Sequence, residues 1–192
     1  MTRLWWVRHG PTHEKCFTGW RDVAADLSDT ALITRVRGFL PPDAVIVASD
    51  LQRASATADA IAGDRQRLPD QRDLREMDFG LWDGMHYTDV TASDPVLSRQ
   101  FWETPGDLAA PGGESWNGVS ARVTTVVDDL TARFADRDIV LVAHMGVIMT
   151  QIQRAAGCTA YQAMGHQIDN LSVTQITHYA TGWALGAINH LP

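Results

Sequence analysis

The residues of this chain best suited to chemistry are arginines and histidines placed just after short apolar runs. They are Arg8 and His9 after residues 4–7, Arg53 beyond residues 45–48, and His144 after residues 139–143. A guanidinium presents several N–H donors in a planar fork that matches phosphate oxygens. A histidine with its ordinary pKa of about 6.5 offers a ring nitrogen lone pair at neutral pH. The pattern therefore indicates an anion held beside a nucleophile.

The three apolar runs are predicted to be strands, and the second is followed by a predicted helix. Apolar residues recur at helical spacing over residues 51–61, and Gly63 is a helix-ending residue. Ser49 and Gln52 fit the S-x-x-Q capping box, which predicts that the helix starts at Ser49. Arg53 would then lie in the first turn of that helix.

Further elements complete an alternation of strands and helices. Residues 119–134 form the longest amphipathic stretch, and residues 83–110 are interpreted as a helical, surface-facing rim. Near the end, residues 171–177 are rich in β-branched side chains and predict a strand, with residues 183–188 as its hairpin partner. Such alternation favours an α/β fold with a largely parallel sheet, in which ligands bind at the carboxyl ends of the strands.

Composition limits the kinds of partner and of site. With 192 residues, 45% of them hydrophobic, the chain is predicted to form one domain over residues 1–192. The formal charge of -7 argues against nucleic acid or an anionic membrane as partner. Cys16 and Cys158 fit neither a disulfide framework nor a C-x-x-C site, and the histidines lack metal-ligand spacing. No signal peptide or membrane helix is expected, so the prediction is a cytoplasmic protein.

Six short segments occur in an order that is typical of one known family. They are Arg8-His9-Gly10-Pro11-Thr12; residues 49–54 (SDLQRA); Leu74-Arg75-Glu76 with Phe79-Gly80 and Trp82-Asp83-Gly84; residues 111–115 (PGGES); residues 142–147 (VAHMGV); and Asn170 with Ser172-Val173. On these segments the chain resembles the phosphoglycerate mutase-like branch of the histidine phosphatase superfamily, over nearly its whole length. The resemblance implies a three-layer α/β/α sandwich with a mostly parallel central sheet.

The same resemblance implies catalysis of phosphoryl transfer with no metal and no cofactor. His9 would be the nucleophile that takes the phosphoryl group as a phosphohistidine, which water then hydrolyses. Arg8, Arg53 and His144 would hold the phosphoryl oxygens and offset the charge that develops on them. Glu76 matches the family's proton donor to the leaving oxygen.

The chain departs from the family pattern at several positions. Pro11 stands where an acidic or amide residue is common, and Met145 stands where a second glycine is common, which would narrow the pocket. Residues 12–27 contain no clear counterpart of the family's phosphate-assisting asparagine. Thr18 is the candidate replacement for phosphate binding, with Cys16 as the alternative.

Three functions are compatible with these residues. The first is a metal-independent phosphatase acting on a small phosphorylated metabolite, for which an activity like that of α-ribazole phosphatase is one form. The second is mutase-type phosphoryl transfer, which would need extra cations for a second anionic group, whereas residues 90–110 offer only Arg99. The third is a non-catalytic binding protein, although such proteins usually lose a reacting residue. The sequence names neither the physiological substrate nor the oligomeric state.

Neighbouring residues are predicted to have supporting roles. Arg122 is interpreted as a structural ion-pair or hydrogen-bond partner, and Asn170 as a turn or strand-start residue. Trp82, Trp102 and Trp116 are candidates for the mouth of the pocket, with core packing as the alternative.

Overall fold

A six-stranded mixed sheet lies at the centre of the structure, a computed structural model that describes residues 1–192. Its strands are β1 (Thr2–Arg8), β2 (Val45–Ala48), β3 (Gln66–Arg67), β4 (Asp138–Ala143), β5 (Val173–Tyr179) and β6 (Gly182–Leu185). Their order across the sheet is β3-β2-β4-β1-β5-β6. The first four of these pair in parallel, and β5 and β6 are added antiparallel to the β1 edge. The mostly parallel sheet predicted from the sequence is confirmed.

Helices cover both faces of this sheet. They are α1 (Thr30–Phe39), α2 (Gln52–Ala62), α3 (Tyr87–Ser93), α4 (Pro95–Glu103), α5 (Trp116–Arg133), α6 (Met145–Ala156) and α7 (Ala160–Met164). Alternate residues of β4 belong to two different hydrophobic clusters, with Leu141 in one and Val142 in the other. The cluster with Leu141 includes residues of α5 and α6, and the cluster with Val142 includes residues of α1 and α2. The expected three-layer arrangement is therefore confirmed.

The predicted start of α2 is wrong, although its end is correct. The helix begins at Gln52 after the N-cap residue Leu51 and ends before Gly63. Ser49 instead continues the pairing of β2 with β4, because its backbone N–H donates to the Val142 carbonyl at 3.0 Å. Sheet pairing at Ser49 leaves no capping box, and the Gln52 amide donates to the Asp22 carbonyl at 2.7 Å.

The other predicted elements are confirmed with small changes of boundary. The rim over residues 83–110 contains α3 and α4, and the long amphipathic helix is α5, whose N-cap Ser115 accepts from the Gly118 N–H at 3.1 Å. The terminal hairpin pairs β5 with β6. No helix is long and apolar enough to cross a membrane.

The parallel pairing of β1 with β4 determines where the two motif histidines lie. In the β1–β4 register, Arg8 is opposite Ala143, so the residues that follow them in the chain leave the sheet side by side. The His9 N–H donates to the Ala143 carbonyl at 3.0 Å. Both histidines therefore emerge at the carboxyl edge of the parallel strands, where open α/β sheets bind ligands.

Candidate active site

His9 and His144 lie next to each other at this edge, with ring centroids 5.1 Å apart. Nδ1 of His9 is 2.6 Å from the Gly10 carbonyl oxygen. Because a carbonyl oxygen can only accept, Nδ1 must be the protonated nitrogen, and the lone pair of the neutral ring is on Nε2. The backbone geometry at His9 thus selects the tautomer that leaves Nε2 free to react.

The surroundings of His9 keep its ring neutral. Burial of His9, a residue only 6% exposed, is the main cause that lowers its pKa to about 3. The Gly10 hydrogen bond opposes this shift, and the charges of Arg53 and Arg8 lower the pKa further by smaller amounts. A low pKa means that His9 carries no positive charge at neutral pH. It can therefore act as a nucleophile without first losing a proton to a base.

The backbone around His9 is also fixed by side chains from distant segments. The Asn170 amide donates to the His9 carbonyl at 2.8 Å, and the Gly10 N–H donates to the Thr57 hydroxyl at 3.0 Å. Asn170 was interpreted as a turn residue, but its side chain also restrains the segment that carries the candidate nucleophile.

Arg53 is completely buried and is held by backbone carbonyls. Its guanidinium donates to the carbonyls of Gly19 at 2.7 Å, Arg21 at 3.0 Å and Thr18 at 3.4 Å. Burial lowers the pKa of Arg53, yet a guanidinium stays protonated in proteins. Because carbonyls carry no net charge and Arg53 forms no salt bridge, its positive charge remains available to an anion.

Arg8 is held in a comparable way on the other side of His9. Its Nη1 donates to the Ile168 carbonyl at 2.6 Å, and its buried Nε has no partner within the protein. Burial likewise lowers the pKa of Arg8. Neither Arg8 nor Arg53 is ion-paired, so the site contains one half-buried and one buried cation beside a neutral imidazole.

His144 is fully buried, and neither of its ring nitrogens makes a hydrogen bond within the protein. Burial, followed by the neighbouring positive charges, lowers the pKa of His144 well below its ordinary value. An unpartnered buried polar group costs free energy, which is typical of a residue whose partner is a ligand. The ring is adjacent to that of His9 and does not line either cavity described below.

Glu76 approaches the same edge from the segment that follows β3. Its carboxylate accepts from its neighbour Met77 N–H at 2.9 Å and from the Gly146 N–H, in the first turn of α6, at 3.3 Å. A Cβ atom added at Gly146 would lie 2.6 Å from Glu76 Oε1. Glycine at position 146 therefore provides the space that this carboxylate occupies.

Arg122 holds the backbone that carries Glu76. Its guanidinium donates to the carbonyls of Asp73, Arg75 and Glu76 at 2.7 to 2.9 Å and forms an ion pair with Glu114. The structural interpretation of Arg122 is confirmed, because this half-buried arginine of α5 holds the backbone of residues 73–76.

Thr18 and Cys16 both line the site, as the sequence allowed. The Thr18 hydroxyl donates to the Cys16 carbonyl at 3.2 Å. The loop itself is held by Asp83, whose carboxylate accepts from the N–H groups of Gly19 at 3.1 Å and Arg21 at 2.9 Å. Asp83 was not identified as a positioning residue from the sequence, because the partners it fixes are backbone groups.

Two adjoining cavities open at this edge. The first, which we call the polar pocket, has a volume of about 190 Å³ and is lined by Arg8, His9, Thr18 and Arg53, among others. Glu14 at its wall is paired with Arg21 at 2.7 Å. The polar pocket therefore brings His9 together with two arginines that form no ion pair.

The second cavity, which we call the apolar chamber, has a volume of about 390 Å³. It is lined by Glu76, Met77, Phe79, Trp102, Trp116, Met145, Gly146, Met149, Tyr161, Met164 and Gly165. Four of these residues, Glu76, Phe79, Trp102 and Met145, also line the polar pocket. Trp102 and Trp116 are thus wall residues, as proposed for the pocket mouth, whereas Trp82 is buried in the hydrophobic core.

Known proteins share this sequence pattern. The family described as "Histidine phosphatase superfamily (branch 1)" matches residues 4–191. The glucosyl-3-phosphoglycerate phosphatase of Mycolicibacterium vanbaalenii is 36% identical over 161 residues, which cover 76% of this chain and 70% of that protein. The adenosylcobalamin/alpha-ribazole phosphatase of Escherichia coli is 30% identical over 172 residues, which cover 85% of this chain and 83% of that protein.

Solved structures share the fold. A mycobacterial glucosyl-3-phosphoglycerate phosphatase superimposes with a TM-score of 0.84, at 27% identity and over 99% of each chain. The chain spans about half, 51%, of the length of the curated mycobacterial relatives that it matches at 30% identity.

Proposed function

Since this chain belongs to the histidine phosphatase superfamily, we propose that it is a phosphatase which hydrolyses a small phosphate monoester through a phosphohistidine on His9. The observation that carries the proposal is the state of His9, a neutral ring with Nε2 free, in one pocket with the unpaired cations of Arg8 and Arg53. This arrangement suits attack on the phosphorus of a bound dianion, because the nucleophile is uncharged and the phosphate is attracted by the arginines.

In the first step, Nε2 of His9 forms a bond to phosphorus while the bond from phosphorus to the ester oxygen breaks. Arg8 and Arg53, with His144 behind, would stabilise the charge on the three other oxygens of the phosphoryl group. Glu76 would deliver a proton to the departing oxygen, so that the product leaves as an alcohol. The position of Glu76, in the wall shared by both cavities, supports this role.

In the second step, a water oxygen attacks the phosphorus of the phosphohistidine. The Glu76 carboxylate would take the proton from that water, and inorganic phosphate would leave as Nε2 of His9 is regenerated. Positive charge for both steps comes from the two arginines, so the proposal requires no metal ion.

Hydrolysis is favoured over mutase-type transfer by the charges beyond the polar pocket. Arg99, the one cation that the sequence offered for a second anionic group, is exposed and lines neither cavity. The only charged side chain of the apolar chamber is Glu76. A second anionic group on the substrate would meet no cation there.

The proposal is tested by trapping the covalent intermediate. After brief mixing with a radiolabelled phosphate monoester and an alkaline quench, the wild-type protein should carry label that is stable to alkali and labile to acid. His9→Ala should remove the label, whereas His13→Ala, at an exposed histidine paired with Asp26, should retain it. A chelator should leave phosphate release from p-nitrophenyl phosphate unchanged.

Two results would contradict the proposal. Label that survives His9→Ala, or that is found on a serine, would place the nucleophile elsewhere. Transfer of the label to a second phosphorylated metabolite instead of water would establish the mutase-type reaction.

A further inference from the structure

We propose that the apolar chamber receives the alcohol part of the substrate, and that this alcohol is uncharged and apolar, with an aromatic ring or a hydrocarbon group of similar size. The inference rests on the proposed function, because it assigns the two cavities to the two halves of one phosphate monoester. The phosphate half would occupy the polar pocket.

The first argument is the chemical character of the chamber. Its wall includes Met77, Met145, Met149 and Met164 together with aromatic side chains. Methionine side chains adapt to irregular apolar groups, and their sulfur atoms make favourable contacts with aromatic rings. The chamber volume of about 390 Å³ lies within the range of small-molecule sites.

The second argument is the absence of cations from the chamber wall. Glu76 is its only charged residue, and its carboxylate faces the polar pocket as well. A carboxylate or second phosphate on the alcohol would lose its water there without gaining an opposite charge, which is unfavourable. An apolar alcohol, by contrast, gains from leaving water for such a wall.

The third argument is the way the two cavities join. Glu76 and Met145 belong to both walls, so a molecule that spans the junction passes beside the Glu76 carboxylate. If the phosphoryl group is beside His9, the ester oxygen lies at the junction and the carbon skeleton continues into the chamber. The proposed proton donor then lies where the bond must break.

The inference is tested with three esters whose alcohols have similar intrinsic reactivity. They are ethyl phosphate, 2-phenylethyl phosphate and the phosphate ester of 3-hydroxypropionate. We expect kcat/KM for 2-phenylethyl phosphate to exceed that for ethyl phosphate by roughly ten- to a hundred-fold, because this is the usual factor by which apolar pockets distinguish substrates that differ in hydrocarbon groups. The carboxylate ester should be the poorest of the three, with phosphate release as the measurement.

A matched pair of variants assigns this preference to the chamber. Tyr161 is 61% exposed at the chamber rim, and Tyr87 is 63% exposed on α3 and lines neither cavity. Tyr161→Arg should lower the ratio of 2-phenylethyl to ethyl phosphate by roughly three- to ten-fold and improve use of the carboxylate ester, because it adds a cation and removes an aromatic contact. Tyr87→Arg should leave the ratios unchanged.

A second variant, Met164→Gln, makes the chamber more polar with little change of volume and should lower the same ratio. Equal kcat/KM for the three esters, or a preference for the carboxylate ester, would overturn this inference and leave the proposed function intact. If no phosphate were released from all three esters and from p-nitrophenyl phosphate, the proposed function would be overturned, and this inference with it.

Discussion

The polar pocket and the apolar chamber share a wall but are built in different ways. In the polar pocket, charged side chains are held by backbone carbonyls, as Arg53 is by Gly19 and Arg21, and Arg8 is by Ile168. In the apolar chamber, the wall is formed by side chains from residues 76–79, α4, the start of α5, α6 and the segment at α7. The polar pocket therefore depends on the path of the backbone, and the apolar chamber depends on the identity of its side chains.

This difference indicates that the reaction and the choice of substrate can depend on different residues of one site. Every residue offers the same backbone carbonyl, whatever its side chain. The hydrogen bonds of Arg53 therefore tolerate substitutions in the loop as long as the loop backbone keeps its path. A single exchange at Met149 or Met164, in contrast, changes the surface that we propose meets the alcohol. We therefore expect substitutions in the chamber to alter substrate choice and substitutions in the polar pocket to alter the reaction rate for every substrate.

The largest effect is expected at Glu76, which belongs to both cavities. Glu76→Gln should slow phosphoenzyme formation from an alkyl phosphate far more than from p-nitrophenyl phosphate, because an alkoxide needs a proton to leave and a nitrophenolate does not. The gap between the two substrates should be roughly 10²- to 10⁴-fold in single-turnover rates, the usual size of general acid catalysis.

A second carboxylate provides the control for Glu76. Glu14 lines only the polar pocket, so Glu14→Gln should produce no gap that depends on the leaving group. Equal losses for both substrates in Glu76→Gln would make Glu76 a positioning residue. Another acid would then be needed, although Asp83 and Glu114 are already engaged by backbone N–H groups of the loop and of Asp78.

Arg53 is expected to give the next largest effect, and one that is independent of the alcohol. Arg53→Ala should lower kcat/KM by roughly 30- to 150-fold or more for all esters, which corresponds to about 2 to 3 kcal/mol for charge-assisted hydrogen bonds in a sheltered site. Vanadate and inorganic phosphate should also bind more weakly to this variant.

Arg65 is a suitable comparison for Arg53, because it too donates to backbone carbonyls, including those of Leu40 and Pro41, but lines neither cavity. Arg65→Ala should affect the midpoint of urea unfolding and leave kcat/KM of the folded protein near the wild-type value. Near-normal kinetics of Arg53→Ala would show that its charge does not act on the substrate.

The smallest effect is expected at Gly146, where a substitution would displace the Glu76 carboxylate that both cavities share. The added Cβ of Gly146→Ala would lie 2.6 Å from Glu76 Oε1, so the flexible carboxylate must move while the fold is retained. We expect a roughly ten-fold loss of kcat/KM for an alkyl phosphate, since displacements of about 1 Å have effects of this order or larger. The loss for p-nitrophenyl phosphate should be smaller.

Gly38→Ala on α1 is the matched control, because an added Cβ there meets no atom within 4 Å. It should leave both activities unchanged. If Gly146→Ala behaved in the same way, the position of the Glu76 carboxylate would not matter to the rate.

The elements and the cluster around His9 could be predicted because each carries a local signal. Strands such as Val45–Ala48 are continuous apolar runs, and Arg8, His9 and Arg53 lie at fixed positions beside them. Their convergence then follows from the parallel pairing of the strands.

Contacts to the backbone and contacts between distant segments could not be predicted. The capping box at Ser49 failed because pairing with the sheet determines the local conformation there. The roles of Asn170 and Asp83 depend on which carbonyl or N–H group each one meets, and nothing in their local sequence specifies that partner. Apart from Glu76, Trp102 and Trp116, the wall of the apolar chamber could not be predicted for the same reason, since its residues come from segments that are far apart in sequence and share no motif.

The central position of β1 also has a consequence for how the site is made. In the sheet, Val7 pairs with Val142 on one side and with Val173 on the other, so the strand that precedes His9 needs partners far along the chain. Pairing over such separations is slow, because a long loop must close before any contact forms. During synthesis His9, the proposed nucleophile, therefore leaves the ribosome before β4 and β5, and its surroundings are completed only after β5 has emerged. Until β4 has emerged, the apolar strand that contains Trp5 and Trp6 lacks both of its sheet partners, which makes this stretch of the nascent chain prone to aggregation.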